Sequence, residues 1–272
     1  MAWSDHQRAM LQEMGIRVWS PPVVVAAEVQ AAEPRQAAEP APQRAAPTPS
    51  TRPSTPRPAA QHAAPHAAPV VLSPRAAGID TMDWPALRDA VGNCTACKLC
   101  RGRQQTVFGV GNPRAHWMIV GEAPGEQEDL QGEPFVGKSG QLLDNMLRAI
   151  ALTRGEAPPE TQVYIANSVK CRPPGNRNPE PDELAQCEPF LIRQVALVQP
   201  KIILAMGRFA VQSLLRSSEP IGKLRGRVHH YQGVPLIVTY HPAYLLRSLA
   251  EKARAWDDLC LALDTVKASA RP

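Results

Sequence analysis

Four short apolar segments limit the folds that this chain can adopt. They are HWMIV (116–120), VYIANSV (163–169), KIILAMG (201–207) and PLIVTY (235–240). Short runs of this kind are typical of strands that are buried on both faces of a sheet. Helical stretches such as SGQLLDNMLRAI and WDDLCLALDTVKA lie between and after them. Strands alternating with helices predict an α/β fold with three layers, α/β/α, around a central four-stranded, mostly parallel sheet.

The first eighty residues have a different composition. Residues 21–80 consist mainly of Ala and Pro with very few large apolar side chains, so they cannot bury enough surface to offset the entropy lost on ordering. We therefore predict three parts: a short N-terminal peptide (1–20), a disordered linker (21–80) and a folded domain (81–272).

The N-terminal peptide has weak helical features. Ser4 is a candidate N-cap, Met10 and Met14 have helical spacing, and Gly15 is a stop signal. The peptide either packs on the folded domain or binds a replication or repair protein, and it faintly resembles the start of the psi subunit of bacterial DNA polymerase III. No apolar run has the length of a membrane span. We expect a monomer that works in the cytoplasm and does not bind membranes.

The cysteines indicate metal or redox chemistry. Cys94 and Cys97 form a Cys-x-x-Cys pair, and an α/β fold can bring Cys171 and Cys187 back to this pair. Four thiolates suit either zinc or an iron–sulfur cluster, and scattered buried thiols without a metal are a third alternative. Cys260 lies on an apolar helical face and is expected in the core.

The loop after the first strand, VGEAPGEQEDLQGEPFVGKSG (120–140), combines glycines and carboxylates with one aromatic residue, Phe135. Its residues 132–139 fit the phosphate-binding pattern G-x-x-x-x-G-K-S. A P-loop leaves its strand directly, however, whereas Gly132 lies twelve residues beyond Val120, and the nearby carboxylates would repel a polyphosphate. The loop better suits a neutral, flat ligand that forms hydrogen bonds, such as a nucleobase.

Three motifs in order carry a family resemblance. GEAPGEQEDLQGEPFVGKSGQLLD (121–144), YIANSVKCRPPGNRNP (164–179) and TYHPAYLLR (239–247) resemble the family 4 uracil-DNA glycosylases, the iron–sulfur-containing branch of that superfamily. The resemblance implies a monofunctional hydrolase of base excision repair that removes uracil from DNA and leaves an abasic site. It also implies a structural 4Fe-4S cluster. The implied ligands are Cys94, Cys97, Cys171 and Cys187.

The chemistry of uracil removal explains three of the residues. An enzyme that acts on a base flips it out of the duplex into a fitted pocket. Phe135 offers a stacking face, and the Asn167 amide can pair with N3–H and O4 of uracil, a pattern that cytosine does not match. His241, as a neutral imidazole, can donate a hydrogen bond to the charge that develops on O2 as uracil departs. All three follow predicted strands, so we expect them at one edge of the sheet.

The roles of orienting the attacking water and excluding thymine cannot be carried over from family 1 enzymes. Those enzymes carry, in the first motif, a carboxylate that orients water and a Tyr that excludes thymine, whereas GEAPG offers Ala123 and a glycine. Glu122 and Glu128 are therefore candidates for these roles. We expect Gly121 and Ala123 to line the base pocket and Asn176 to close it from the loop that bears cysteine.

The net charge is only +5, but cations are concentrated locally. They are Arg101, Arg103, Lys170, Arg172, Arg177, Lys223, Arg225, Arg227 and Arg247. Because several flank the predicted pocket loops, we expect them to contact DNA phosphates. HPAYLLR resembles the loop that enters the minor groove. Leu245, with Tyr244 beside it, is therefore the candidate that fills the vacated base stack, and Arg247 is a candidate DNA contact.

Two other functions fit part of the pattern. An iron–sulfur electron carrier, or a nucleic-acid-binding protein without glycosylase activity, would need the cysteines but not Phe135, Asn167 and His241. A relative in the superfamily that traps its product covalently uses an additional basic loop containing His. The stretch PPGNRNPEPDELAQC (173–187) lacks one, which argues against that activity.

Overall fold

The computed structural model of the chain describes Glu13 and residues 72–269. The predicted N-terminal peptide and most of the predicted linker therefore lie outside the described residues, and the division into three parts stays a prediction. In the part that is described, no helix combines the length and the apolar character needed to cross a membrane.

The described residues form one sheet of six strands. The strands are β1 (Val110–Gly111), β2 (Trp117–Gly121), β3 (Val163–Asn167), β4 (Ile202–Met206), β5 (Val228–Tyr231) and β6 (Val234–Thr239). Their order is β1-β3-β2-β4-β6-β5. The four inner strands are parallel, and β1 and β5 pair antiparallel at the two edges. The α/β class is thus confirmed, but the prediction of four strands is wrong because it omits both edge strands.

Helices cover both faces of the sheet. They are α1 (Trp84–Gly92), α2 (Glu126–Gln131), α3 (Lys138–Ala149), α4 (Pro181–Val198), α5 (Arg208–Leu215), α6 (Ile221–Leu224), α7 (Pro242–Leu245) and α8 (Glu251–Ser269). Alternate residues of a strand point to opposite faces. Trp117 and Ile119 accordingly pack with α3 and α8, whereas Met118 and Val120 pack with α4 and α5.

The start of the described segment joins the core slightly before the boundary drawn from composition. A 3₁₀ turn at Ile79–Thr81 contacts α4, and Ile79 is buried in a cluster with Leu87 and Phe190. The buried structure therefore begins at least two residues before residue 81. A single apolar residue after a long Ala/Pro stretch does not form a pattern that sequence reasoning detects.

The parallel centre of the sheet places several loops at one edge. Gly121 ends β2 and is the register partner of Asn167, which ends β3. Met206 at the end of β4 pairs with Thr239 at the end of β6, and Tyr240 and His241 follow directly. In such sheets ligands bind at the carboxyl ends of the strands.

Candidate active site

A cavity of about 930 Å³ opens at the carboxyl ends of the parallel strands. Its volume lies within the range of small-molecule pockets and leaves room for more than a single base. Most of the residues predicted for the site line it. These are Glu122, Ala123, Glu128, Phe135, Asn167, Asn176, His241, Tyr244 and Arg247. The convergence that the strand pattern predicts is therefore present.

Gly121 makes room for the two residues predicted to hold the base. A Cβ atom at this position would lie 2.6 Å from Cζ of Phe135 and would also overlap Oδ1 of Asn167. Phe135 and Asn167 are themselves buried, at 5% and 2% exposure. Any side chain at Gly121 would thus displace both the ring and the amide.

Phe135 is held in an unusual backbone conformation. Its φ of 56° lies in the left-handed region, which costs free energy for a residue other than glycine. Gly140, in the first turn of α3, packs so closely that a Cβ atom there would overlap the carbonyl of Phe135. The Phe135 ring stacks near the imidazole of His241, with ring centroids 5.3 Å apart and planes inclined by 24°. The surrounding packing therefore fixes the aromatic ring inside the cavity.

A hydrogen bond shows which ring nitrogen of His241 is an acceptor. Its Nδ1 accepts a hydrogen bond from the main-chain N–H of Ala243 at 3.1 Å, at the N-terminus of α7. Burial, together with the nearby Arg247, lowers the pKa of the imidazole to about 4. The ring is therefore neutral at physiological pH, and its proton lies on Nε2 because Nδ1 is an acceptor. The result is a neutral hydrogen-bond donor at the cavity.

Glu122 is a carboxylate with a raised pKa. Burial raises its pKa to about 7, against the opposing effects of a hydrogen bond from the main-chain N–H of Phe209 and the charge of Arg208. Both of these residues line the cavity at the start of α5, and the sequence analysis missed them. The sequence feature that could have revealed these two residues is the segment KIILAMGRF, in which a strand is followed by one glycine and a helix. Such a junction exposes main-chain N–H groups at the strand ends.

Glu128 has a different environment. Its two oxygens accept hydrogen bonds from the main-chain N–H groups of Gly125, at 3.1 Å, and Val136, at 3.2 Å. The carboxylate thus ties the start of α2 to the loop that carries Phe135. Ala123 lines the cavity on one side and packs against the buried cysteines on the other.

Asn176 lies at the exposed mouth of the cavity. It adopts φ 55° in the 3₁₀ turn Pro174–Asn176, and its Oδ1 accepts a hydrogen bond from Nε of Arg172 at 2.8 Å. The neighbouring Arg177 donates to both oxygens of Glu183, at 2.9 and 2.6 Å. Arg177 is thus anchored to Glu183 and helps to hold this loop.

Comparison with known families identifies this arrangement. The family described as the uracil DNA glycosylase superfamily matches residues 108–260, which include every strand end and cavity residue described above. The chain belongs to the uracil DNA glycosylase superfamily.

Relatives within the superfamily narrow the assignment. A type-4 uracil-DNA glycosylase of Pyrobaculum aerophilum is 40% identical over 190 residues, which cover 66% of this chain and 93% of the relative. One from Thermotoga maritima is 41% identical over 61% of this chain and 84% of the relative. A type-5 uracil-DNA glycosylase of Pyrobaculum aerophilum is 28% identical over 50% of this chain and 64% of the relative. The resemblance to family 4 is confirmed.

The structure contradicts the prediction that Leu245 enters the DNA duplex. Leu245 is completely buried and belongs to the same core cluster as Trp256 of α8. It cannot insert between bases without unpacking α7. Its neighbours Leu246 and Tyr244 are exposed, at 41% and 38%. Two adjacent leucines look alike in sequence, and only the orientation of a four-residue helix decides which of them faces the core.

Several cations predicted to contact DNA are buried or paired. Lys170 is 1% exposed, and Arg225 forms an ion pair with the buried Asp258 at 3.0 Å. Arg103 donates to Sγ of Cys171 at 3.0 Å. The prediction of phosphate contacts is therefore wrong for Lys170 and is not favoured for the two arginines. The exposed members are Arg101, Lys223, Arg227 and Arg247.

The cysteines predicted to bind metal converge on a second, smaller cavity. All four predicted ligands, Cys94, Cys97, Cys171 and Cys187, line it together with Cys100, which was not among them. All are free thiols, and burial raises the pKa of Cys171 to about 11 and that of Cys187 to about 12. The main-chain N–H of Lys170 points to Sγ of Cys187 at 3.5 Å. Within residues 72–269, no three Cys, His, Asp or Glu side chains are arranged to hold one metal ion.

Proposed function

We infer that this protein is a uracil-DNA glycosylase, which hydrolyses the N-glycosidic bond of deoxyuridine in DNA and leaves an abasic site. The observation that carries this inference is the convergence of Phe135, Asn167 and His241 on one cavity at the strand ends, with Nδ1 of His241 occupied as an acceptor. The family membership and the type-4 relatives support it.

Base recognition is assigned to Asn167 and Phe135. The Asn167 side chain can accept a hydrogen bond from N3–H of uracil and donate one to O4, and cytosine presents the opposite pattern at both positions. Phe135 supplies a stacking face worth about 1–3 kcal/mol in comparable contacts. The burial of both residues means that a mismatched base would leave polar groups without partners. The absence of a side chain at Gly121 lets the Phe135 ring and the Asn167 amide approach each other there.

Bond cleavage is assigned to His241 and Glu122. As uracil departs, negative charge develops on the ring, and the neutral Nε2–H of His241 can donate to O2. A single donor of this kind contributes roughly 2.7–4 kcal/mol in other enzymes. Glu122, whose pKa of about 7 leaves much of it ionised at neutral pH, orients the attacking water and accepts its proton.

Glu128 is assigned a positioning role. Its two oxygens already accept main-chain hydrogen bonds that join α2 to the Phe135 loop. We therefore place the water with Glu122 and let Glu128 fix the aromatic ring. Asn176 closes the mouth of the pocket from the loop that bears Cys171.

Contact with DNA is assigned to the exposed residues around α7. Leu246 and Tyr244 present apolar surface beside the cavity, and Arg247 is a nearby exposed cation. An apolar side chain that enters the vacated stack helps to hold the base in the flipped state.

A 4Fe-4S cluster held by Cys94, Cys97, Cys171 and Cys187 is our proposal for the smaller cavity, because all four thiols line it. Its thiols come from two distant regions of the chain and share one cavity, and the guanidinium of Arg103 and an N–H of Lys170 point to two of the sulfurs. Burial raises the pKa of the Cys171 and Cys187 thiols, and bound iron would stabilise their thiolates. When bound, the cluster supplies a cross-link between the loop before β1 and α4. Cys100 lines the same cavity as a fifth thiol.

Three further proposals concern the whole protein. We keep the N-terminal peptide (1–20) as a binding segment for a replication or repair protein, joined by a linker (21–80). We also propose that the enzyme acts as a monomer and works in the cytoplasm with its DNA substrate. The residues assigned to base recognition and bond cleavage all line one cavity of this chain, which supports the monomer proposal.

Incubation with an oligonucleotide carrying one uracil, followed by alkaline cleavage, tests the proposed activity. We expect cleavage at the uracil position and none in matched oligonucleotides with cytosine or thymine. An iron–sulfur electron carrier would instead show ready reversible reduction and no cleavage. That pair of results would replace the glycosylase assignment.

A further inference from the structure

A buried lysine links the strand end that reads uracil to the cysteine cavity. Lys170 is 1% exposed and lies between Asn167 and Cys171 in sequence. Its Nζ donates a hydrogen bond to the main-chain carbonyl of Asn167 at 2.8 Å and another to Oε1 of Gln194 at 2.6 Å. Its main-chain N–H points to Sγ of Cys187 at 3.5 Å. One residue therefore contacts both sites.

The charge of this lysine has no carboxylate to balance it. Both acceptors of Nζ are neutral, and no Asp or Glu among residues 72–269 forms an ion pair with Lys170. A buried ammonium without a counter-charge is strongly unfavourable. The cysteines that line the same cavity are the nearby groups that can carry negative charge. Four cysteine thiolates that held an iron–sulfur cluster there would carry a net negative charge and could balance it.

The second acceptor, Gln194, is itself held on α4. Its Nε2 donates to the carbonyl of Phe108 at 2.9 Å and contacts the hydroxyl of Tyr164 at 3.0 Å. All these groups are buried, so the amide has a fixed orientation and directs Oε1 toward Lys170. The ammonium thus has one defined position, from which it fixes the end of β3.

We propose that Lys170 is a positioning residue for uracil recognition, whose ammonium holds the main-chain carbonyl of Asn167 and thereby fixes the amide that reads the base. The inference rests on the proposed function, in which Asn167 pairs with uracil. It extends that function by making base recognition depend on a charge in the interior rather than on the cavity alone.

A double-mutant cycle between Lys170→Met and Asn167→Ala tests the proposal. Methionine keeps much of the length of lysine without the charge. Single-turnover excision of uracil should fall by about 10–100-fold in the Lys170→Met variant, the loss typical of residues that orient a first contact. In the Asn167→Ala background the same change should cost less than about threefold, because the amide it orients is absent. Equal losses in both backgrounds would overturn the proposal.

The reduction potential of the iron–sulfur site gives a readout other than activity. Loss of a buried positive charge beside the cluster disfavours the added electron, so the potential should become more negative in Lys170→Met. Tyr164→Phe is the matched control, since it removes one hydroxyl from the far end of the same network and should leave the potential unchanged. An unchanged potential in iron-loaded Lys170→Met would contradict the charge balance.

A second variant covers the case in which Lys170→Met does not fold or load iron. Gln194→Leu removes one acceptor of the ammonium and leaves the charge in place. Its excision rate should fall by at least about threefold when Asn167 is present and stay unchanged in Asn167→Ala. An equal fall in both would overturn the proposal. If Asn167→Ala alone excises uracil at the wild-type rate, the assigned function of Asn167 fails instead, which separates the two ideas.

Discussion

Asn167 offers a sharp test at the scale of single residues. In Asn167→Asp, an oxygen that only accepts hydrogen bonds replaces the amide donor that faces O4 of uracil. Sites built around such a bond discriminate by about 10⁴–10⁵, so uracil excision should fall by a factor of that order. Single-turnover release from matched U, C and T oligonucleotides measures the effect, and a trace of cytosine release is expected.

His241→Ala is the matched comparison for that experiment. It should slow release while keeping the preference for uracil, because it removes the donor to the departing base and leaves the base-reading edge intact. Buried Asp has a raised pKa, so assays at two pH values show whether a protonated Asp restores the donor. Near wild-type uracil release by a folded Asn167→Asp protein at high pH would remove Asn167 from the pocket assignment.

The raised pKa of Glu122 predicts the pH dependence. A general base acts in its ionised form, which dominates above its pKa of about 7. Below pH 7 the single-turnover rate should therefore fall by about tenfold per pH unit, and above pH 8 it should level off. The rate of Glu122→Gln should be low and flat across the same range. His241 does not contribute a limb there, since its pKa is about 4. A steep limb that persists in Glu122→Gln would assign it to another group.

Residue types in fixed motifs were predictable, whereas their exposure was not. Asn167 and His241 were found because each combines a special side chain with a strand end, and Phe135 because it is the one aromatic residue in the long loop region after β2. Leu245 was misassigned because its burial depends on how α7 packs on α3 in the tertiary structure. Lys170 looked like a phosphate contact because charge alone suggests the surface, and its neutral acceptors are far apart in sequence.

At the scale of elements, Leu245 at the end of α7 and Leu246 directly after it have opposite surroundings. Leu246→Ala should slow uracil release from duplex DNA by about tenfold and affect single strands less, because only the duplex has a stack to fill. Leu245→Ala should not slow uracil release from duplex DNA selectively. It should instead lower the free energy of unfolding by about 2–5 kcal/mol, as expected for a buried leucine. Excision assays and denaturant unfolding measure the two. If Leu245→Ala slowed duplex excision and Leu246→Ala lowered the stability, the orientation of this segment on DNA would differ from the one described here.

The cysteine segments predict a second result at this scale. Cys171→Ser and Cys187→Ser should lose the roughly four irons per chain expected for one cluster and should unfold more readily, since the cluster would join α4 to the segment before β1. Cys260→Ser is the control, because Cys260 packs beside the core cluster of α8 away from the cavity. Metal analysis of protein purified without oxygen provides the measurement. Stoichiometric zinc without iron in that protein would contradict the cluster.

At the scale of the whole molecule, the position of Ile79 predicts different outcomes for two truncations. Deletion of residues 1–71 should leave excision on naked oligonucleotides and the melting temperature nearly unchanged, because the cavity is built from later residues. Deletion of residues 1–80 also removes the buried Ile79 and should lower the free energy of unfolding by about 2–5 kcal/mol. A large loss of turnover with the shorter deletion would assign the N-terminal segment to the catalytic unit.

The inner four strands could be predicted, whereas the two edge strands could not. Buried parallel strands leave continuous apolar runs in the sequence. β1 has two half-buried residues, and β5, VHHY, is largely exposed, so neither has such a run. Their pairing comes from their neighbours β3 and β6 rather than from their own composition.

The edge strands also bear on association between copies of the chain. Long open strand edges invite other chains to pair with them and aggregate. Here one border is only two residues long; Gly109 precedes it and Gly111 is its second residue, and the positive φ values of both glycines break the extended backbone. On the other border, the imidazole of His229 turns back to the carbonyl of Leu224 at 2.7 Å. Both borders of the described sheet are therefore short, at two and four residues, and offer little main chain for a second copy to pair with.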